Sequence, residues 1–183
     1  MMRRLGMLLP LSALLAACQP TSAPPLAQGS VVPDSADQVL FGVQFFLTDG
    51  GVRRADLVAD TAFMYEDNTR TDLRVVHTTF FKTGGEKDAV LTSKTGTYNV
   101  RLGNMEARGD VVVVSTDGRR LTTPHLRYDP ARNEIASDSV FLMVERGGRS
   151  TEGIGFIADP DLNNVRVLKA AKSRGNQLTI PKT

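Results

Sequence analysis

The sequence predicts an all-β domain in which antiparallel strands form an elongated stack. Beyond residue 37, no window of about 11 to 18 residues sustains an apolar face at helical spacing. β-Branched residues and alternating apolar positions recur instead, and clusters of Gly, Asn and Asp separate them. A weak repeat of about 30 residues further indicates that neighbouring strand pairs stack on one another.

Residues 1–17 have the order of an export signal. Two arginines precede an apolar run over residues 5–16, which at roughly 12 residues is shorter than the about 20 that span a bilayer. The run ends in Leu-Ala-Ala-Cys at residues 15–18, which resembles the lipobox of bacterial lipoproteins. In such proteins the cysteine sulfur carries a diacylglycerol, so we expect cleavage before Cys18 and lipidation of its thiol. An ordinary signal peptide followed by a chance cysteine is the alternative interpretation.

A flexible linker is predicted over residues 18–37. This stretch is rich in Pro, Ser, Ala and Gly and has few large apolar side chains before Val31. It would hold the folded domain, residues 38–170, at a distance from a membrane surface, although an unremarkable disordered N-terminus would behave in the same way. A basic tail over residues 171–183 follows the domain, and its cations are either solvated or in contact with lipid phosphates or a partner.

The composition disfavours several classes of function. The 183 residues include 22 basic and 20 acidic side chains, and removal of the leader with its two arginines leaves 20 of each. A neutral mature protein argues against nucleic acid as a partner. One Cys and two separated histidines, His77 and His125, predict neither a disulfide nor a metal site. Because the sequence contains no catalytic or phosphate-binding motif, we expect neither an enzyme nor a bound cofactor.

Nine strand candidates occupy the folded domain. Their limits are marked by alternation, β-branched residues and turn sequences such as Asp-Gly-Gly at residues 49–51. Gly153 and Gly155 lie inside the eighth candidate, where we expect them to relieve a bulge. The candidates cover residues 39–47, 54–65, 73–82, 89–98, 105–115, 120–128, 134–145, 150–158 and 164–168.

The repeat is marked by aromatic residues at the ends of strands. Tyr65, Tyr98 and Tyr128 each close a strand, and Ala158 occupies the equivalent place in a fourth copy, with spacings of 33, 30 and 30 residues. A unit of this length cannot bury its apolar face alone, so each unit must stack on the next.

Alternation assigns one face of the strands to the interior. Counting by twos from the tyrosines places Ala59, Phe63 and Leu126 on that face. In the fourth copy Ile154 and Phe156 take the same face. These side chains would form the core of the stack.

Two segments are apolar on both faces. They cover residues 111–114 and 140–144. Either these are central strands covered on both sides, or one of their faces meets something other than water.

Four short motifs follow the leader and the linker in order. They are Asp-Gly-Gly-Val at 49–52, Ala-x-Leu-x-Ala-Asp at 55–60, Gly-Asp-Val-Val-Val at 109–113 and Asp-Gly-x-x-Leu-x-Thr at 117–123. This order resembles the LptC-type lipopolysaccharide export proteins, which share the OstA-like strand repeat with the periplasmic protein LptA. The resemblance covers about residues 37–168, nearly all of the folded part.

The resemblance implies an open β-jellyroll whose two sheets splay apart, so that lipid acyl chains lie along an apolar groove between them. It also implies a non-enzymatic bridge that receives lipopolysaccharide or a related glycolipid from an inner-membrane Lpt permease complex, an ABC exporter, and passes it to an LptA-like protein. We expect the residues of the repeat and of the two-faced strands to line this groove. These candidate groove residues are Ala59, Phe63, Tyr65, Tyr98, Val111, Val113, Leu126, Tyr128, Val140, Leu142, Ile154 and Phe156.

The resemblance further implies a position at the periplasmic face of the cell envelope. A lipid on Cys18 would replace the N-terminal transmembrane helix that anchors the best-known members. Gln19 stands where inner-membrane lipoproteins of enteric bacteria carry Asp. The family favours the inner membrane, and the outer membrane stays open as an alternative.

Two other functions are compatible with a tethered β-domain. A scaffolding lipoprotein would pack its sheets face to face and bind protein partners through the sheet edges. A carbohydrate-binding role would require exposed aromatic side chains, and a chain with three Tyr and no Trp offers few. An unfilled apolar cavity would distinguish the lipid carrier from the scaffold.

Overall fold

The computed structural model describes residues 36–65 and 69–174, with side chains to residue 169. Nine antiparallel strands form one sheet in which each strand pairs with the next along the chain. Each predicted strand overlaps one of them, so the all-β prediction is confirmed, although the last strand continues beyond residue 170. No helix in this part of the chain is long and apolar enough to cross a membrane. The strands are β1 Gln38–Asp49, β2 Val52–Met64, β3 Arg70–Phe81, β4 Lys87–Asn99, β5 Met105–Ser115, β6 Arg120–Asp129, β7 Glu134–Val144, β8 Ser150–Ala158 and β9 Val165–Arg174.

A line of interruptions in the hydrogen-bonded ladders crosses the sheet through the middle of its strands. It passes through Gly42 and Asp60 between β1 and β2 and through Val75 on β3. On later strands it passes through Asp110 and Gly155. Gly42, Val75, Asp110 and Gly155 have φ angles of 62°, 51°, 48° and 72°. Because backbone of this kind bends a strand locally, we call the line the crease.

The crease divides the sheet into two halves. The upper half contains the turns after β1, β3, β5 and β7, and the lower half contains the turns after β2, β4, β6 and β8. The ring of Phe45 on β1 lies 5.1 Å from that of Tyr98 on β4, and the ring of Phe80 on β3 lies 4.8 Å from that of Tyr128 on β6. In both pairs an upper-half residue meets a lower-half residue three strands along. The sheet therefore folds over itself along the crease and encloses one core between two layers.

One row of the lower half confirms most of the predicted repeat. The register places Tyr98, Met105, Tyr128, Ile135 and Ala158 opposite one another on β4 to β8. All five are buried and belong to one core cluster. The repeat therefore records equivalent positions on alternate strands of a stack.

The first copy of the repeat departs from this row. Met64, and not Tyr65, takes the position opposite Thr71 on β3. Tyr65 lies just after β2, half-buried, and its hydroxyl donates a hydrogen bond to Asp72 Oδ2 at 3.0 Å. Its placement indicates a local tie between β2 and β3.

Side chains fill the space between the two layers in the described part of the chain. Leu57, Leu91, Val113 and Leu121 lie in one row of the upper half, and each is 0% exposed. The open sheet is consistent with the β-jellyroll that the resemblance implied. The splayed trough between the layers is not observed among these residues, because aromatic pairs such as Phe80 and Tyr128 bridge the layers.

Gly155 tests how far the crease depends on glycine. Its φ is +72°, and an added Cβ would lie 2.9 Å from Leu168 Cδ1 and 3.3 Å from the Ser137 carbonyl oxygen. We expect Gly155→Ala to lower the free energy of unfolding by about 1–3 kcal/mol, measured by denaturant titration. Gly84→Ala is the matched control, because an added Cβ there meets nothing within 4 Å. Equal effects of the two substitutions would contradict a strained crease.

Asp72 ties three strands together on the face opposite the core. Its carboxylate accepts hydrogen bonds from Arg70 Nη2 at 2.7 Å, from the Tyr65 hydroxyl at 3.0 Å and from Thr97 Oγ1 at 3.3 Å. Burial raises the pKa of Asp72, but the hydrogen bonds from Arg70, Tyr65 and Thr97 outweigh it, so the pKa lies below its ordinary value.

The lowered pKa of Asp72 predicts a pH-dependent contribution to stability. A carboxyl whose pKa is lower in the folded than in the unfolded state stabilises the fold above its unfolded pKa of about 3.9, and this contribution is lost as pH falls through the folded pKa. We expect Asp72→Asn to cost about 1 kcal/mol at pH 7, since the bonds are partly exposed, and almost nothing near the acid limit. Denaturant titrations at several pH values measure this, with the exposed Asp60→Asn as control. A cost for Asp72→Asn that does not change with pH would refute the electrostatic tie.

Candidate functional site

An apolar groove lies on the outer face of the upper half, beside the crease. It has a volume of about 880 Å³ and crosses β5 to β8. A volume of this size is within the range of about 300–1,000 Å³ typical of ligand pockets. We call it the outer groove, and its main lining residues are Val112, Thr122, Pro124, Val140, Leu142 and Ile154.

The walls of the outer groove are apolar side chains left exposed to solvent. Val140 is 60% exposed, Ile154 46% and Leu142 37%. Their neighbours Phe141 and Met143 point to the opposite face and are buried in the core. The two-faced strands therefore have one face in the core and the other at the outer groove, so they are not central strands covered on both sides. This contiguous exposed apolar surface makes the outer groove the candidate interaction site.

The charges around the outer groove are unevenly distributed. Asp110 at one end is paired with Lys94, whose Nζ lies 2.6 Å from its carboxylate. Glu152 belongs to the lining on β8. Lys169 on β9 is the cross-strand partner of Ile154, is exposed and forms no ion pair with the described residues. The β9 rim of the groove therefore presents a cation beside apolar side chains.

Only a single layer of side chains separates the outer groove from the core. Val111 and Phe141 belong both to the groove lining and to the core cluster. The Phe141 ring lies 5.2 Å from the ring of Phe156 inside the core. Gly153 makes this arrangement possible, because a Cβ there would lie 2.8 Å from Phe141 Cε1.

Seven of the candidate groove residues lie on the inner face. All seven are buried in the core cluster, where their side chains hold the two layers together. Contact of any of them with lipid remains a prediction. These residues are Ala59, Tyr98, Val111, Val113, Leu126, Tyr128 and Phe156.

Four face assignments were wrong. Val140, Leu142 and Ile154 lie on the outer face, at the outer groove. Phe63 is buried but lies outside the core cluster: its partner on β3 is Asp72, and the Arg74 guanidinium lies 5.8 Å from its ring.

The physical cause of two of these errors is the crease, because an interrupted ladder shifts the alternation of faces by one residue. Ala59 and Phe63 lie on either side of the crease on β2, and Ile154 and Phe156 on either side of it on β8. On β7 the odd-numbered residues point into the core, so Val140 and Leu142 point to the outer face. Tyr65 lies outside the strands, and Cys18 lies outside the described residues.

Sequence reasoning missed the residues that complete the outer groove. Val112, Thr122, Pro124 and Gly153 were not among the candidates, although they line it. The signal that could have found them is the apolar character of both faces over residues 111–114 and 140–144, followed to the neighbouring strands.

His125 lies close to two carboxylates near the crease. No cluster of three or more metal-ligating side chains occurs in the described residues. His125 Nε2 lies 3.4 Å from Glu106 Oε2, and His125 Nδ1 lies 3.7 Å from Asp138 Oδ1. Burial raises the pKa of Glu106, but Arg108 and His125 outweigh it and hold the pKa below its usual value. This arrangement can position side chains across strands, and the outer groove remains the better candidate for binding.

A family model described as "Lipopolysaccharide-assembly, LptC-related" matches residues 7–176, nearly the whole chain. A search of curated proteins found no match.

Proposed function

The chain belongs to the LptC-related family of lipopolysaccharide-assembly proteins, and from this premise we propose that it holds lipopolysaccharide acyl chains in the outer groove and relays them from an inner-membrane ABC exporter to an LptA-like protein. The family is a periplasmic bridge component of lipopolysaccharide transport and is not known as an enzyme family. The acyl-chain site, the named partners and the direction of relay are the parts that we propose.

The exposed apolar groove is the observation that carries this proposal. Acyl chains in water are unfavourable by about 0.8 kcal/mol for each methylene, so a carrier must offer them an apolar surface. Val140, Leu142 and Ile154 offer such a surface without any rearrangement of the fold. Hydrophobic contact with the outer groove would therefore hold the lipid during its passage through the aqueous periplasm.

The charge beside the outer groove supports an anionic amphiphile as the ligand. Lipopolysaccharide carries phosphate groups next to its acyl chains. Lys169 lies directly across from Ile154 and is exposed, so its ammonium can meet a phosphate while the chains lie on Ile154 and Val140. Arg166, also exposed on β9, extends this basic rim.

The relay itself would use the edges of the sheet. Within residues 36–65 and 69–174, β1 and β9 are the two edge strands, and each pairs with one neighbour only. An unpaired strand edge can add a strand from another protein by backbone hydrogen bonds. The exporter complex and the LptA-like protein would occupy such edges and extend the apolar path from one protein to the next.

A second candidate function is a scaffolding lipoprotein that binds only proteins. The filled space between the layers favours it, because a scaffold needs native packing and no internal cavity. In that case the outer groove would receive an apolar side chain of a protein partner. The two functions differ in what lies against Ile154 in cells.

Photo-crosslinking at Ile154 tests the proposed function. An aliphatic amino acid bearing a diazirine, incorporated at position 154 of the full chain in cells, should give a lipopolysaccharide adduct after irradiation. The matched control is Val58, which is 40% exposed and lies on the outer face of β2, away from the outer groove. We expect at least a tenfold stronger lipid adduct at position 154, measured by immunoblotting for protein and lipid. Protein adducts alone at position 154 would support the scaffold, and equal lipid labelling at both positions would refute a specific site.

We also propose that the thiol of Cys18 carries the lipid that holds the protein at the membrane. Cys18→Ala removes the nucleophile that this modification requires, so the protein should lose membrane association and its mass should lack the acyl groups. Membrane fractionation and intact mass spectrometry measure the two effects, with Ser22→Ala in the linker as control. An unchanged mass and an unchanged membrane fraction for Cys18→Ala would show that another segment supplies the anchor.

A further inference from the structure

The ladder between β6 and β7 has the longest interruption in the sheet. Thr122 pairs with Leu142, and the next pair is Arg127 with Ala136. Residues 123–126 of β6 and 137–141 of β7 therefore lack ladder partners across this junction, a gap of roughly 13 Å at about 3.3 Å per residue. We call these two facing segments the seam.

The other junctions are interrupted over shorter stretches. Between β4 and β5 the unpaired residues are 93–94 and 109–111, and between β7 and β8 they are 138–139 and 155. The remaining crease positions leave one or two residues unpaired on a strand. The seam is therefore the place where two neighbouring strands are least joined by their backbones.

Two buried hydroxyl groups hold the seam together in place of the ladder. Thr123 Oγ1 donates to the Val140 carbonyl oxygen at 2.9 Å, and Ser137 Oγ donates to the His125 carbonyl oxygen at 2.6 Å. The two hydroxyl oxygens lie 3.4 Å apart. Pro124 in the seam has no backbone N–H and cannot contribute a ladder bond.

The seam lies between the outer groove and the core. Thr123, Pro124 and Val140 line the groove on one side of the sheet. Leu126 and Phe141, on the same two segments, are buried in the core on the other side. Only a single layer of side chains lies between the outer groove and the core at this place. Separation of the two segments would therefore connect the groove to the space between the layers.

We propose that the seam is the entrance through which acyl chains pass from the outer groove into the space between the two layers. The inference rests on the proposed function, since it needs a lipid in the outer groove. Chains that reach the seam displace the Thr123 and Ser137 hydrogen bonds, and β6 and β7 part between the ladder pairs that flank the seam. The closed interior observed in the structure is then the state before entry.

A disulfide across the seam tests this proposal. Because the hydroxyls of Thr123 and Ser137 almost touch, Thr123→Cys with Ser137→Cys should form a bond in the oxidising periplasm and lock the seam. Diazirine-bearing amino acids at Leu126 and at Ile154 report lipid in the interior and in the outer groove. Each single cysteine variant controls for the lost hydroxyl. Val58→Cys with His77→Cys places a cross-strand cysteine pair between β2 and β3 in the upper half of the sheet, away from the seam.

With the seam locked, we expect the lipopolysaccharide adduct at position 126 to fall at least tenfold while the adduct at position 154 stays within about twofold. The single variants and the Val58/His77 pair should lower neither adduct. An undiminished adduct at position 126 in the locked protein would overturn the seam as entrance. Adducts at 154 but never at 126 in the unlocked protein would overturn it as well, and the proposed function would stand. Absence of adducts at both positions would overturn the proposed function itself.

A second variant keeps the test decisive if the locked protein fails to fold. Thr123→Val with Ser137→Ala removes both hydroxyls and keeps the volume of the side chains nearly constant. We expect the adduct at position 126 to increase severalfold, because both hydroxyl hydrogen bonds across the seam are then lost, and the polar contact that remains there joins His125 Nδ1 to Asp138 Oδ1 at 3.7 Å. An adduct at position 126 that does not increase in this variant, with protease resistance retained, would overturn the proposal.

Discussion

The structure depends on one constraint: a single nine-stranded sheet must cover its own apolar face. No second sheet or helix in the described residues is available to cover it. The sheet solves this by folding along the crease, so that the upper half of one strand packs on the lower half of a strand three positions along. Such a fold requires a bend in each strand, and a bend interrupts the ladder. Hydrophobic burial and complete backbone pairing therefore cannot both be maximal in this chain.

The interruptions are not equal, and their distribution connects the fold to the proposed function. Where one or two residues are unpaired, as at Gly42 or Gly155, the crease only redirects the strand. At the seam the unpaired stretch is longer, and side-chain hydroxyls replace backbone bonds. The same region carries the exposed apolar groove. Each Å² of apolar surface left in water forgoes about 25 cal/mol of the stabilisation that burial would give. A ligand that covers the outer groove would supply this burial.

The strands could be predicted because their signals are local. Alternation and turn residues lie within a few positions of one another, and the repeat of Tyr98, Tyr128 and Ala158 identified one true row of the core. The faces could not be predicted across the crease. Val75 and Asp110 adopt positive φ without being glycine, so their residue types do not indicate that the alternation of faces shifts there. The outer groove was visible in the sequence only as strands that are apolar on both faces, and which face meets the core depends on contacts between distant strands.

A filled interior and a lipid carrier are physically compatible. A permanently open trough would expose its apolar walls to water whenever no lipid is bound, and the fold would lose the stabilisation that residues such as Leu57 and Leu121 now provide. Closure by the protein's own side chains removes this cost in the empty state. It would also weaken the binding of lipid in the interior, because entry would have to displace contacts such as that between Phe141 and Phe156. A component that passes its cargo onward needs moderate affinity, since a lipid held too tightly would not leave. In the proposed function, the exposed outer groove would serve the first encounter, and the closed core would limit how strongly the lipid is retained.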